Sequence, residues 1–457
     1  MARRSDRRRG SIYLGLAAGL FVTSGALVGG YFVSEQPASA PRARAGAAAP
    51  AVAGDHAALA QAVEANLAGA VKLVAVGRER TLAWKDLGVT VDADELPYAA
   101  RKGGDVATLA QAGALPIRLD RAAAVKALSG LKAEVDRAPQ DAFLDLEGRT
   151  IHDDAPGFAI DVYASLDRIE AAAKSGSPTV ELVGVPVPAA TTKATIGIAD
   201  ISHVLGTFKT TFPVGDKDRN FNLKLAASKL NGHVLQPGVE FSFNGVVGDR
   251  TEKEGYKIAH VITAGEMVDG LAGGTCQIST TLFGASFFAG LEVVKTSPHS
   301  RPSTYVTMGL DATVVYPTTD LIMKNPYDFP VVIHYRVARG EAVVEILGKE
   351  RPWDKIAFER KIIEVTPFTT EDRPDERLPV GFESEDQGGF DGYKVVRYRK
   401  YYKGDEEVKT DKWTLTYKPV TRYLRKGTNP DTTLPVPEVK PAHLPKPPSE
   451  GSGRIVQ

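Results

Sequence analysis

Apolar side chains recur at helical spacing over 58–68, 121–138 and 166–174, and they alternate at strand spacing at Val71, Leu73 and Ala75 and again over 179–183. Between them, Leu82 to Gly88 reads as a helical turn closed by glycine, Pro139 to Ala142 leads into a strand, and Gly157 to Asp161 reads as another. This interleaving predicts a first folded α+β region over 55–190. Past residue 190 strands are expected at 195–199 and 207–212, then a helix over 219–230 that runs into Asn231-Gly232. A Pro237-Gly238 turn then leads into the alternating strand Val239-Glu240-Phe241-Ser242-Phe243. Beyond 351 the pattern becomes β-rich: 361–365 and 393–402 alternate, with a hairpin turn at Lys403-Gly404-Asp405. From Asn429 prolines crowd the chain (Pro430, Pro435, Pro437, Pro441, Pro445, Pro447, Pro448), which predicts a tail without packed structure over 429–457.

One stretch departs from these amphipathic patterns. Gly273-Gly274-Thr275-Cys276-Gln277 leads into an apolar run through Ala285, Phe287, Phe288 and Ala289 that stops at Gly290. Thr275 reads as the N-cap of a buried helix with Cys276 in its first turn. A thiol there faces unpaired backbone N–H groups and the positive end of the helix dipole, which favour thiolate, the nucleophilic form. The competing reading is a small buried residue packed under a Gly-Gly turn.

Length and charge then bound the protein. Its 457 residues, 43% hydrophobic and 25% charged, suffice for several domain cores, and 56 basic against 56 acidic side chains leave no net field to steer it toward nucleic acid. Cys276 is the sole cysteine, so neither an intramolecular disulfide nor a cysteine zinc cluster is possible, and the first region has no histidine spacing typical of a metal site. No cofactor is implied. At the N-terminus Arg3, Arg4, Arg7, Arg8 and Arg9 precede an uncharged run over 11–34, long enough to cross a bilayer with the N-terminus inside and the rest outside. Residues 1–35 are therefore expected to be a signal-anchor, or a signal peptide cleaved near Ala38-Ser39-Ala40. Residues 36–54 are expected to be a flexible linker.

The ordered series Pro237-Gly238-Val239-Glu240-Phe241-Ser242-Phe243-Asn244, Gly248-Asp249-Arg250-Thr251, Gly273-Gly274-Thr275-Cys276-Gln277-Ile278-Ser279-Thr280-Thr281-Leu282, His299-Ser300, Tyr305-Val306 and Asp311-Ala312-Thr313-Val314 resembles a VanW domain, expected over 191–350. Two departures stand out: Ala272 where a third glycine is usual, and Phe283-Gly284 in place of Tyr-Asn. The region 55–190 is similar to the peptidoglycan-binding domain that often precedes exported wall enzymes, and 351–428 resembles the G-five module. The resemblance implies a multidomain α+β protein with peptidoglycan as its partner, and, for some exported VanW proteins, L,D-transpeptidase activity with this cysteine as nucleophile. The Ser-x-Gly-Cys-x-Arg loop of the usual transpeptidases is absent. Chemistry of this kind needs a base, for which His299 is the candidate, 23 residues on in a proline-bounded loop. It also needs a group to orient the imidazole, for which Asp311 and Asp320 both stand. The backbone amides of Cys276 and Gln277 are candidate oxyanion donors, and Arg250 and Arg301 candidate holders of a substrate carboxylate. The alternative from another class is a non-catalytic wall-binding or accessory protein.

Overall fold

In the computed structural model the alternation at Val71, Leu73 and Ala75 becomes the strand Ala70–Ala75 with those three side chains buried. It pairs antiparallel with Arg78–Ala83 and parallel with Thr179–Glu181. The structure describes residues 53–102, 105–263, 266–437 and 453–457. The segments expected over 1–35 and over most of 36–54 lie outside these. Among the described residues no helix is long and apolar enough to cross a membrane. The chain divides into Met1–Asp55 and His56–Gln457, and the second unit holds the three packed regions.

Helices Arg121–Val135 and Val162–Ser175 cover the first sheet. Each begins at an aspartate, Asp120 or Asp161, whose carboxylate accepts from backbone N–H groups of the first turn, and the second ends at Gly176 in the left-handed conformation. Their apolar faces meet Val71, Leu73, Trp84, Leu87 and Val180 in one core.

The middle region is built on a four-stranded antiparallel sheet, in the order His203–Thr211, Glu341–Gly348, Val331–Ala338, Val234–Leu235. Helices Thr275–Phe288 and Lys217–Leu230 pack on it, and a smaller sheet of Glu240–Ser242, Ile322–Lys324 and Glu292–Lys295 closes the layer. At Gly206 the strand runs close against the end of the helix Thr275–Phe288. A Cβ there would lie 2.3 Å from the Ala289 nitrogen and 2.6 Å from the Ala285 oxygen, both backbone atoms that cannot rotate away. Gly284 similarly sits under the Phe208 ring, with a Cβ meeting Phe208 Cγ at 2.3 Å, so an asparagine at this departure from the VanW pattern would collide.

The C-terminal region has two sheets. The long strands Lys355–Thr366, Gly392–Lys403 and Glu406–Tyr417 form an antiparallel sheet in which the last two are joined by a two-residue turn, Gly404-Asp405. The strand Arg422–Asn429 lies between Thr370–Pro379 and Glu383–Gln387 in the other. Ile356, Phe358 and Tyr401 belong to the same core as the helix Thr275–Phe288, so the long-stranded sheet is fused to the middle region.

Three sequence expectations need correction. Residues 195–199 are not a strand: Thr192 and Thr195 form a reciprocal capping box for the short helix Lys193–Ile196, which ends at Gly197 with φ 75°. Thr275 is not the N-cap. Gly274, at φ 104°, holds that position, and the Thr275 hydroxyl donates to the Ala272 carbonyl at 2.8 Å. The chain end is not wholly without structure either. Arg454–Val456 pairs with Lys355–Thr366 as an edge strand, its residues supplying the backbone N–H donors that prolines lack.

The contrast between two glycines supplies a stability test. Gly206→Ala is expected to lower the unfolding free energy by about 3 kcal/mol or more, because rigid backbone must move. Gly215→Ala, in open space, should stay within about 0.5 kcal/mol of wild type in a urea titration.

Candidate functional site

Every residue of the helix Thr275–Phe288 is buried except Cys276, which is partly exposed. The hydroxyls and amide that follow the cysteine tie this helix in place. Gln277 accepts from Arg219 Nη2 at 2.7 Å and donates to Thr210 Oγ1 and the Thr211 carbonyl at 3.0 and 2.9 Å. Ser279 donates to the Ala312 carbonyl at 2.6 Å, and Thr280 Oγ1 accepts from the Ala312 N–H at 3.1 Å. These bonds draw the chain after Glu292–Lys295 back across the start of the helix, bringing His299 and Asp311 with it.

His299 and Asp311 are buried, 5% and 2% exposed. Asp311 Oδ2 accepts from the His299 backbone N–H at 2.7 Å and lies 3.0 Å from His299 Nδ1. That fixes the ring and leaves Nε2 for the Tyr305 hydroxyl, at 3.3 Å, and for the Cys276 thiol, with which His299 makes a side-chain hydrogen bond. Cys276 Sγ also lies 3.4 Å from the Val314 carbonyl. Asp320 is not the orienting group. It accepts from the Ser242 hydroxyl at 2.5 Å and from the Asn244 N–H at 2.9 Å, at the start of another helix.

Burial alone would push the Cys276 thiol up, but the hydrogen bond and positive charge of His299, with a contribution from Arg250, hold it below the ordinary thiol value. For His299 burial works downward and is outweighed by the electrostatic influence of Tyr305 and by its bonds to Asp311 and Cys276, leaving the imidazole well above its usual range. Burial raises Asp311, and His299 and Tyr417 bring it below the usual carboxylate value. The signs fix the pH behaviour. The raised imidazole stabilises the fold fully below about pH 6.5 and loses that contribution as pH climbs through its folded value. The lowered thiol contributes fully above about pH 8.5 and loses it as pH falls through its folded value. Both shifts run in the direction that favours a thiolate–imidazolium pair over the neutral thiol and imidazole.

The other sequence candidates are placed differently. The Gln277 N–H is taken by the Gly274 carbonyl at 2.8 Å and its side chain by the contacts above, so Gln277 has nothing left for a substrate. The Cys276 N–H has no acceptor among the described residues. Arg250 lies near the thiol, donates to Asn244 Oδ1 at 2.6 Å, and keeps Nε and Nη1 buried without an acceptor among the described residues. Arg301 is buried, its guanidinium pushed down by that burial, and among the described residues no contact joins it to the thiol. Sequence reasoning missed two residues. Arg219 packs along Gly274 and has a buried, unpartnered Nη1, and Tyr305 faces the imidazole. Tyr305 stood inside the quoted VanW series and was legible there. Arg219 is far from Cys276 in sequence and carried no local signal.

Alkylation of Cys276 by iodoacetamide is expected to titrate below the roughly 8.5 of an ordinary thiol, and His299→Ala should raise the midpoint toward that value. Labelling of the folded protein at pH 6 to 9 checks this, and reaction only after unfolding would show a buried, inert thiol.

Three stretches of the chain match known families. Residues 218–347 match the family described as "VanW like protein", residues 82–181 the "Putative peptidoglycan binding domain", and residues 359–429 the "G5 domain". The chain is 39% identical over 146 residues to the "Uncharacterized protein YoaR" of Bacillus subtilis, covering 32% of this chain and 48% of that one. It is 28% identical over 141 residues to the "Vancomycin B-type resistance protein VanW" of Enterococcus faecalis, covering 30% and 51%. It thus spans about half the length of the curated relatives it matches. Among solved structures, an IgA1 protease G5 domain is 28% identical over 16% of this chain and 90% of that one, with TM-score 0.13. The HP0197-G5 crystal structure is 26% identical over 16% and 97%, with TM-score 0.10. The chain therefore carries a peptidoglycan binding domain, a VanW domain and a G5 domain in that order.

Proposed function

We propose that this protein is a cysteine acyltransferase of the L,D-transpeptidase type, anchored in the cytoplasmic membrane by residues 1–35 and working on peptidoglycan at its outer face. The observation that carries this reading is the line from Asp311 through His299 to Cys276, buried at its base and ending at a partly exposed cysteine. In the first step the thiolate attacks the carbonyl carbon of a stem-peptide amide. The resulting oxyanion is met by the Cys276 N–H and the Tyr305 hydroxyl. His299 gives its Nε2 proton to the departing amine, and a thioester remains. An amine of a neighbouring strand then attacks the thioester and surrenders a proton to the neutral imidazole. Collapse expels the Cys276 thiolate, completes the new amide and restores the ion pair. Arg219 and Arg250, each with buried guanidinium nitrogens lacking an acceptor among the described residues, supply positive charge for a stem-peptide carboxylate.

The first domain and the G5 domain support attachment to the wall. The vancomycin resistance in the Enterococcus relative's name fits the same compartment. A non-catalytic platform remains the alternative, and the packing of Cys276 against the core favours it.

Full-length protein incubated with disaccharide tetrapeptides should give a thioester adduct and dimeric or exchanged stems by mass spectrometry. Cys276→Ser, which replaces the thiolate by a hydroxyl that stays protonated at neutral pH, should lower product by at least about a thousandfold while binding to sacculi survives. Sacculus binding without an adduct from wild-type protein would leave the platform reading. A reporter fused after Gln457 should be active only in its exported form.

A further inference from the structure

Asp311 has a second partner outside the VanW domain. The Tyr417 hydroxyl, from the strand Glu406–Tyr417 of the G5 domain, donates to Asp311 Oδ1 at 2.5 Å and accepts the Gly309 N–H at 2.8 Å. Asp311 Oδ2, the other oxygen, serves His299. Each carboxylate oxygen thus has its own neighbour, and the plane of the group is set from both sides. The turn that presents Asp311 is also held by the two other long strands of that sheet: Arg397 Nη1 donates to the Gly309 carbonyl at 3.0 Å and Arg360 Nη1 to the Met308 carbonyl at 3.3 Å. Tyr417 is 1% exposed and Arg397 0% exposed, so water does not compete for these bonds.

We infer that Tyr417 is a positioning residue for the Cys276 site: the G5 domain supplies the hydroxyl that fixes Asp311, so the VanW domain's acyl-transfer machinery is complete only with the G5 domain seated on it. The inference rests on the acyltransferase reading above. A carboxylate freed at Oδ1 can turn about its Cβ–Cγ bond, which misaligns Oδ2 from His299 Nδ1 and loosens the imidazole that the thiolate faces. The G5 domain then does more than attach the protein to its surroundings, and its displacement would switch the site off without touching Cys276 or His299.

The test uses full-length protein and the variants Tyr417→Phe, Asp311→Asn and Cys276→Ser, with three readouts: unfolding temperature, the pH midpoint of Cys276 alkylation, and the rate of thioester formation from disaccharide tetrapeptide. Tyr417→Phe keeps the ring in place and removes only the hydroxyl. It should move the alkylation midpoint toward that of a free thiol by about one pH unit and slow adduct formation about tenfold, the scale on which a hydrogen bond to a charged group acts. Asp311→Asn should move both further in the same direction. Should the Phe variant not be recovered folded, Arg360→Lys loosens the same 308–311 turn and should shift the midpoint the same way by less. A folded Tyr417 variant with a lowered unfolding temperature but wild-type midpoint and rate, beside a shifted Asp311→Asn, would reduce Tyr417 to a packing role and overturn the inference while the acyltransferase reading stands. If wild-type protein forms no adduct and Asp311→Asn leaves the midpoint unmoved, the acyltransferase reading fails and this inference with it.

Discussion

The structure depends on one constraint, the burial of a helix on every side with only Cys276 partly exposed. Thr275–Phe288 has no face to give to water, so it needs cover all round: the four-stranded sheet beneath, Lys217–Leu230 alongside, the returning 296–321 chain above, and the long-stranded G5 sheet at its far end. Phe287 alone meets Phe283, Phe288, Phe358 and Trp413, drawing side chains from two domains into one core. The C-terminal end of the helix is closed by a cation. Arg399 Nη1 donates to the Phe287 and Leu291 carbonyls while its other nitrogens hold Asp411, which places positive charge at the negative end of the helix dipole. With that end sealed, the N-terminal turn is where the helix reaches the surface, and Cys276 stands there.

The polar residues of the motif have a mechanical purpose. Gln277, Ser279, Thr280 and Thr281 are buried, and a buried polar group without a partner costs about 1–3 kcal/mol, so each must be met. Their partners are Arg219, Thr210 and the Ala312 peptide, and satisfying them fixes where the His299 and Asp311 loop can lie. The same bonds that make the helix tolerable in the interior thus carry the imidazole to the thiol. Ala272 shows the strain this tight entry holds: with φ 62° it occupies a left-handed conformation that glycine adopts freely and that costs an alanine about 1 kcal/mol.

The G5 contact changes what the domains mean to one another. Where an appended module would meet its neighbour through a small polar surface, here Arg360, Arg397 and Arg399 lie buried and donate to carbonyls of the VanW domain. Burying a guanidinium is unfavourable unless its donors are met or its face is covered. Phe283, Phe287 and Trp413 around Arg397 supply that cover by cation–π contact. Arg397 nevertheless has its pKa pushed down to about 10, burial being the main cause. Such an interface does not open and close lightly, which suits a role in holding Asp311.

The sequence by itself determined the elements whose signals are local. The aspartate-capped helices, the left-handed Gly176, the hairpin at Gly404-Asp405 and the placement of Cys276 at the start of a buried helix all follow from side chains within a few residues of each other. Its local errors were also of one kind, competition between nearby signals: Thr192 and Thr195 turned an apparent strand into a capped helix, and a left-handed Gly274 displaced Thr275 from the cap. The tertiary structure decided what depends on distant partners. It separated Asp311 from Asp320, which look alike as strand-end carboxylates, because Asp311, beside the Ala312 peptide that Thr280 holds, meets His299, while Asp320 meets Ser242 and Asn244. It brought Arg219 to Gln277 from 58 positions away and Tyr417 to Asp311 from 106. No periodicity or spacing encodes such meetings, because they arise from how a common core forces separate elements together, and that is a property of the packed molecule.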